Sequence, residues 1–316
     1  MIKTSFQNPQ KLPLVVESDA PDKSLDALFD LTFVGRDFLR GLLLQYGALL
    51  FRGFEVKTVG EFKDFVRHFS ESDFFNYAGG VSPRIPLSDG VYTSTEYPPN
   101  LKLALHNELS YSDVYPRHVY FFCDIAPAKG GETTVGDSRR ILQRLAADTV
   151  KSFRNKKVRY DRFLQSDEKS EYSWQAAFET RERRTVEEVC RRTGASYGWK
   201  TNGDLWLSQI RPATVAHPET GEEVWFNQAD GFHYTNLDAE TQNFFIESGQ
   251  DFRLNSFFGD GDPFDLETLE HIRAICEEET VPHRWQTGDV LVLDNMLTAH
   301  GRMPFAGARK IAVAMT

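Results

Sequence analysis

A chain of 316 residues, 41% of them hydrophobic and 25 of them phenylalanine, can build one large core. Its formal net charge of −10 argues against general affinity for nucleic acid or an anionic membrane. No apolar run approaches the roughly 18 residues of a membrane-spanning helix, residues 1–9 lack the apolar stretch of a secretory leader, and the scattered Cys123, Cys190 and Cys276 suit a reducing compartment as small buried side chains, so a cytoplasmic protein is expected.

In chain order, apolar spacing over Phe33 to Tyr46 predicts a helix that stops at Gly47. Ala48 to Phe51 reads as a buried strand. Thr58 and Glu61 form a capping box for a helix over Val59 to Phe69. Short β-like runs follow at Val91 to Thr95, Val119 to Cys123 and Thr133 to Val135, separated by Pro98-Pro99, Ala126-Pro127 and Gly130-Gly131. Asp137 can cap a helix over Ser138 to Leu145. The stretch from about 165 to 195 reads as helical, with Thr185 and Glu188 as a second capping box, and 138–195 as a whole reads as a helical insertion. Asn202-Gly203 predicts a hairpin turn, and His217 to Gly221 a tight turn between strands. Helices are expected over Asp238 to Phe245 and Leu266 to Glu277, then buried strands at Val290 to Leu293 and Ile311 to Met315.

There is no internal repeat, low-complexity tract or Gly/Ser linker, so one domain over 1–316 is expected. Many short strands with scattered helices predict a mainly β protein with flanking helices (α+β), built on a β-sandwich or jelly-roll core. The basic clusters Arg139-Arg140, Arg181 to Arg184 and Arg191-Arg192 read first as solvated helix faces. They leave open a docking patch for an acidic partner such as a carrier protein; a homo-oligomer also stays open.

Two histidines and a carboxylate stand out as a candidate metal set. His106 and Glu108 are one residue apart, and residues i and i+2 of a strand share a face, so both can grip one ion. His300 lies far downstream, before Gly301, where a chain often turns. This ligand set holds non-haem Fe(II) on one face and leaves other positions open. The remaining histidines, His68, His118, His217, His233, His271 and His283, read as surface or hydrogen-bonded residues. The aromatic and amide residues Trp225 to Gln228 suit either a pocket wall or core and turn. Arg309, just before the last strand, is a candidate clamp for an anionic co-ligand, since a guanidinium grips a carboxylate through two parallel hydrogen bonds; the Thr133 hydroxyl could join it. Tyr111, Arg84 and Arg302 are candidates for contact with substrate, each weighed against packing or a salt bridge.

Several blocks together carry a family resemblance: 47–54, 92–111, Gly130 to Thr133, Trp225 to Gln228, and 288–309. The chain resembles the taurine dioxygenase/clavaminate synthase-like (TauD/TfdA) Fe(II)- and 2-oxoglutarate-dependent oxygenases. Within them it resembles a subgroup typified by the syringomycin-pathway aspartyl hydroxylase, on the strength of 92–98, 106–108 and 295–302. The resemblance implies a distorted double-stranded β-helix, a cupin-like jelly roll. It implies His106, Glu108 and His300 as iron ligands, and Thr133 and Arg309 on the distal carboxylate of 2-oxoglutarate, with Arg302 as the competing clamp. Dioxygen would be the second co-substrate. Many members carry Asp where this chain has Glu108, and related halogenases carry a small residue there, so a carboxylate at 108 argues against halogenation.

The implied activity is oxidation of an unactivated C–H bond, most simply hydroxylation, in a small amino-acid-like substrate that is free or tethered to a carrier protein. Desaturation and epoxidation need the same cofactors. Two other classes compete: a non-catalytic jelly-roll binding module, and a zinc hydrolase, which would want a nearby general base although the chain has no H-E-x-x-H helix.

Overall fold

In the strand Val290–Asp294 every side chain is buried, with Leu291 and Leu293 in one apolar cluster and Val290 and Val292 in another. A strand apolar on both faces must lie inside a covered sheet, because successive side chains point to opposite sides. The same alternation runs through Ala48–Phe51, His118–Ile125 and Lys310–Met315. In the computed structural model, which describes residues 2–70, 72–75, 84–94, 97–170 and 172–316, these four strands form the centre of an eight-stranded sheet. Its pairs are antiparallel except that between Leu14–Ser18 and Ala48–Phe51.

Helices Leu25–Val34, Arg36–Tyr46 and Val59–Phe69 flank this sheet on one side. The last presents Phe62, Phe65 and Val66, all fully buried. Each such side chain contributes roughly 1.5–3 kcal/mol by leaving water. The opposite face packs against a smaller antiparallel sheet in the order Val281–His283, Thr133–Asp137, Thr298–Arg302, Leu103–His106. Two facing sheets of this kind make the jelly-roll core expected from the sequence, and the smaller one carries the two histidines of the candidate metal set. A third sheet, Ser196–Trp199, Leu205–Arg211, Val158–Leu164 and Leu254–Phe258, is added from the stretch after the core strand Thr133–Asp137.

Several expectations change. The helix foreseen over 33–46 is two helices meeting at Gly35, and the first begins at Leu25, capped by Ser24. A Cβ at Gly35 would stand 2.7 Å from the tip of the Ile2 side chain and 3.0 Å from the Leu31 carbonyl oxygen, so a larger residue at the junction would have to displace Ile2. Phe33 and Val34 are exposed, which broke the link between apolar periodicity and burial there. The second capping box does not form: the helix starts at Arg183, with no side-chain cap from Glu182, and Thr185 already lies inside it. The hairpin turn foreseen at Asn202-Gly203 is present, with a loop longer than two residues. Trp199 pairs with Leu205, and the five residues between them turn through Gly203 at φ +89°, with Asn202 bonded to Asp204. The stretch 138–195 contains the strand Val158–Leu164 as well as helices. Thr95, foreseen at a strand end, lies outside the described residues.

Other features match the sequence reading. The Thr58/Glu61 capping box has both of its reciprocal bonds. Asp137 caps the helix Ser138–Arg144. The 217–221 turn joins Thr214–Ala216 to Glu223–Trp225. Cys123 and Cys190 are buried, and Cys276 is half-buried. Among the described residues no helix is long and apolar enough to cross a membrane.

Candidate metal centre and its surroundings

His106 and His300 are opposed across the pair formed by Leu103–His106 and Thr298–Arg302. Their ring centroids are 4.4 Å apart. Gly301 makes this approach feasible, because a Cβ there would lie 2.4 Å from the Leu103 carbonyl oxygen. The glycine therefore serves close strand packing inside the strand, where the sequence had suggested a turn.

Glu108 arrives by a route that strand spacing did not foresee. The strand ends at His106, and Glu108 sits in the turn that follows, ahead of Leu109 at φ +56°. Asn295 holds that turn. Its side-chain oxygen accepts from the Glu108 backbone N–H at 2.7 Å, and its amide donates to the Glu108 and Pro116 carbonyls at 3.0 and 2.9 Å. Asn107 reciprocates, donating to the Asn295 carbonyl at 2.7 Å and to the Ser138 hydroxyl at 3.1 Å. Gln228 donates to the Asn107 carbonyl at 2.9 Å. The Trp225 to Gln228 block thus divides between core aromatics and amides that brace backbone.

The outcome is a cluster in which one ligand atom from each of His106, Glu108 and His300 lies within 4.8 Å of the others. The Nδ1 of His106 meets the Ala104 carbonyl at 3.0 Å, which fixes that nitrogen as the protonated one and leaves Nε2 as a lone-pair donor. Burial and the neighbouring His300 push the His106 imidazole down to about 4, so it is neutral at physiological pH. For Glu108, burial alone would raise the pKa; the Arg84 guanidinium, with the His300 imidazole adding to it, outweighs burial and keeps the carboxyl well below its usual range. Arg84 donates to Glu108 Oε2 at 2.8 Å, and His300 Nε2 stands 3.6 Å from the same oxygen. One carboxylate with two imidazoles, one of them held neutral and neither more than partly exposed, fits a divalent cation of the iron or zinc type.

Beyond the triad, the strand register carries Thr133 to the same region. Thr133 pairs with Arg302, and Val135 with His300, so Thr133 and Val135 share the face of their strand partners. The Thr133 hydroxyl is buried and accepts the Trp285 indole N–H at 3.0 Å. An indole only donates, so the hydroxyl keeps its own proton for another acceptor. Arg309 donates to the Gly131 carbonyl at 3.0 Å and to Ser94 Oγ at 3.3 Å. Gly131 has φ +71°, and a Cβ on it would stand 3.1 Å from Arg309 Cδ. The Arg302 and Arg309 guanidinium groups lie 5.1 and 5.5 Å from the ring centroid of Phe305. Burial, with Arg302 alongside, draws Arg309 down to about 10, which still leaves it charged. Two such cations in a half-buried setting favour an anion.

The three residues considered for substrate contact fall in different places. Arg84 pairs with the Glu108 carboxylate. Arg302 donates to the carbonyls of Tyr97, Pro98 and Leu101 at 2.6–2.9 Å, and so ties down that segment. Tyr111 is buried against Phe232 and Tyr160 and lines a cavity of about 490 Å³. Sequence reasoning missed Asn295, Asn107, Trp285 and Arg162. The first three lie outside the strands, and only the folded chain shows what they touch.

The family model for the taurine catabolism dioxygenase TauD, TfdA family matches residues 10–315. The dapdiamide synthesis protein DdaC of Enterobacter agglomerans is 36% identical over 303 residues, which is 95% of this chain and 90% of that protein. A clavaminate synthase-like protein of Arabidopsis thaliana is 29% identical, over 89% of this chain and 84% of its own length. Among solved structures, PvcB, an Fe, alpha-ketoglutarate dependent oxygenase from an isonitrile synthetic pathway, aligns with a TM-score of 0.53 at 16% identity, over 96% of this chain and 84% of that one. The family match over almost the whole chain settles what the geometry of the triad had suggested: the chain belongs to the TauD, TfdA family of dioxygenases, which work with iron, 2-oxoglutarate and dioxygen.

Proposed function

We propose that this dioxygenase hydroxylates an unactivated C–H bond of an amino acid or amino-acid-derived molecule in natural-product biosynthesis. In this reading His106, Glu108 and His300 hold Fe(II), and Thr133 and Arg309 hold the distal carboxylate of 2-oxoglutarate. The observation that carries it is the meeting of one ligand atom from each of His106, Glu108 and His300 within 4.8 Å, from parts of the chain far apart in sequence. The 36% identity to a dapdiamide synthesis protein supports the biosynthetic setting.

When bound, iron and 2-oxoglutarate supply the coupling of 2-oxoglutarate decarboxylation, giving succinate and carbon dioxide, to delivery of one oxygen atom from dioxygen into the C–H bond. The chain's own part is positional. Asn295 and Asn107 fix the turn that aims Glu108. The Ala104 carbonyl sets the His106 tautomer. The Trp285 N–H leaves the Thr133 hydroxyl as a donor, and Arg309 supplies the matching charge.

The test is succinate release over free amino acids and carrier-loaded aminoacyl groups, followed by product mass. A substrate-dependent burst of succinate with a product heavier by one oxygen atom is expected. A product lighter by two hydrogens, or no substrate-dependent succinate across both sets, contradicts the hydroxylase reading.

A further inference from the structure

The cavity of about 490 Å³ is bounded on one side by Tyr111, Ser112 and Asp113 and on another by Arg162 and Leu207 of the third sheet. Its volume lies in the range of small-molecule sites. Tyr111 is three residues beyond Glu108 in the sequence. Three residues span at most about 11 Å of chain, so the Tyr111 backbone lies within that reach of the Glu108 backbone. Tyr111 is rigidly placed: its ring meets Phe232 at 4.8 Å and Tyr160 at 6.3 Å, and the Tyr160 hydroxyl accepts the Gln228 backbone N–H.

The charges on the wall are unequal in their setting. Arg162 is 3% exposed, with its guanidinium 5.9 Å from the centroid of the Tyr111 ring. Asp113 is met by Arg211 at 3.8 Å. Asp73 and Arg192 are exposed to water. The buried charge at this wall is therefore cationic, beside apolar surface from Phe75, Phe178 and Leu207. A guanidinium carries five N–H donors, so it can serve the fold and a ligand together. Its planar fork matches a carboxylate.

We infer that this cavity seats the substrate, which carries a free carboxylate held by Arg162 and an apolar portion against the Tyr111 side. The inference rests on the oxygenase reading above and sharpens it to a substrate class. A substrate whose only carboxyl is spent in a thioester to a carrier would lack the recognised group.

The experiment starts from the enzyme loaded anaerobically with Fe(II) and 2-oxoglutarate, whose visible charge-transfer band reports the loaded site. The twenty L-amino acids and their C-terminal amides are titrated in, with Asp against Asn and Glu against Gln as side-chain acid and amide pairs. At least one acid should perturb the band, with its amide at least tenfold weaker. Arg162→Gln should weaken that acid at least tenfold and leave both its amide and the 2-oxoglutarate midpoint unchanged. Arg162→Lys, which keeps the charge, should fall between. A wild-type enzyme in which no acid perturbs the band, or in which acid and amide bind alike, overturns the inference even if the variants fail to fold. An Arg162→Gln enzyme that binds the acid within twofold of wild type also overturns it. Absence of the band before any titrant is added is a separate result: it sinks the oxygenase reading and this inference with it.

Discussion

Asn295 is the residue on which the Glu108 turn depends. It engages the Glu108 backbone on both sides, through the N–H and the carbonyl, and both residues are buried. Removing its amide leaves buried backbone groups unpaired and frees the carboxylate to swing. Partners that orient metal ligands in this way typically change affinity 10–100-fold when lost. Asn295→Ala is expected to weaken Mn(II) binding by at least tenfold, read by calorimetry on the folded protein; unchanged affinity would mean the clamp does not position Glu108. A second residue sets a pH dependence. His283, foreseen as exposed or hydrogen-bonded, is buried, and among the described residues neither ring nitrogen has a hydrogen-bond partner. Burial, with Arg52 nearby, pushes it down to about 3. Between that value and the ordinary histidine range near 6.5, the unfolded chain takes a proton that the folded chain refuses. Its stability is therefore whole above about pH 6.5 and falls as pH drops toward 3. His283→Phe should flatten the fall of Tm over that window relative to wild type; parallel Tm curves would count against it. Nothing in the sequence near 283 distinguishes this histidine from a solvated one, because its burial comes from strands distant in the chain.

Elements were legible wherever local chemistry decided them. Thr58 and Glu61 cap a helix because each satisfies the other's backbone N–H, and the four central strands are apolar on both faces. Elements were misread where tertiary contact overrode local pattern. Strand periodicity put His106 and Glu108 on one strand, yet the chain leaves the strand at His106. The Asn107 side chain, between them, donates to the Asn295 carbonyl and the Ser138 hydroxyl. Thr185 and Glu188 have capping-box spacing, but the helix begins earlier at Arg183. Arg139, read with its neighbour as part of a solvated basic face, turns inward to Asp137 and the carbonyls of Leu44 and Gln45. Arg302 illustrates the same point at the site. It bonds three carbonyls of the 97–101 segment, a pattern that suits anchoring that segment. Arg302→Gln is expected to speed limited proteolysis within 97–101 several-fold while Mn(II) still binds. Unchanged cleavage would return Arg302 to the list of residues facing the ligand.

At the scale of the whole molecule, the fold closes two sheets over one another so that a distant histidine meets a His-x-Glu pair. The sequence made that meeting expected through ordered blocks of family resemblance, and the register of Thr298–Arg302 against Leu103–His106 supplies the physical means. The substrate side was less legible. The cavity joins the Tyr111 turn to a sheet built partly from residues 158–164 and 205–211, and no local pattern in either announces a shared wall. The central claim is that His106, Glu108 and His300 form one iron site that takes up 2-oxoglutarate. The anaerobic visible spectrum tests it most directly. Fe(II) and 2-oxoglutarate added together should give a charge-transfer band that neither gives alone, and His300→Ala should abolish it while the protein stays folded by circular dichroism. A wild-type protein that binds Fe(II) stoichiometrically and shows no band with 2-oxoglutarate, or a band that survives His300→Ala at full strength, would contradict it.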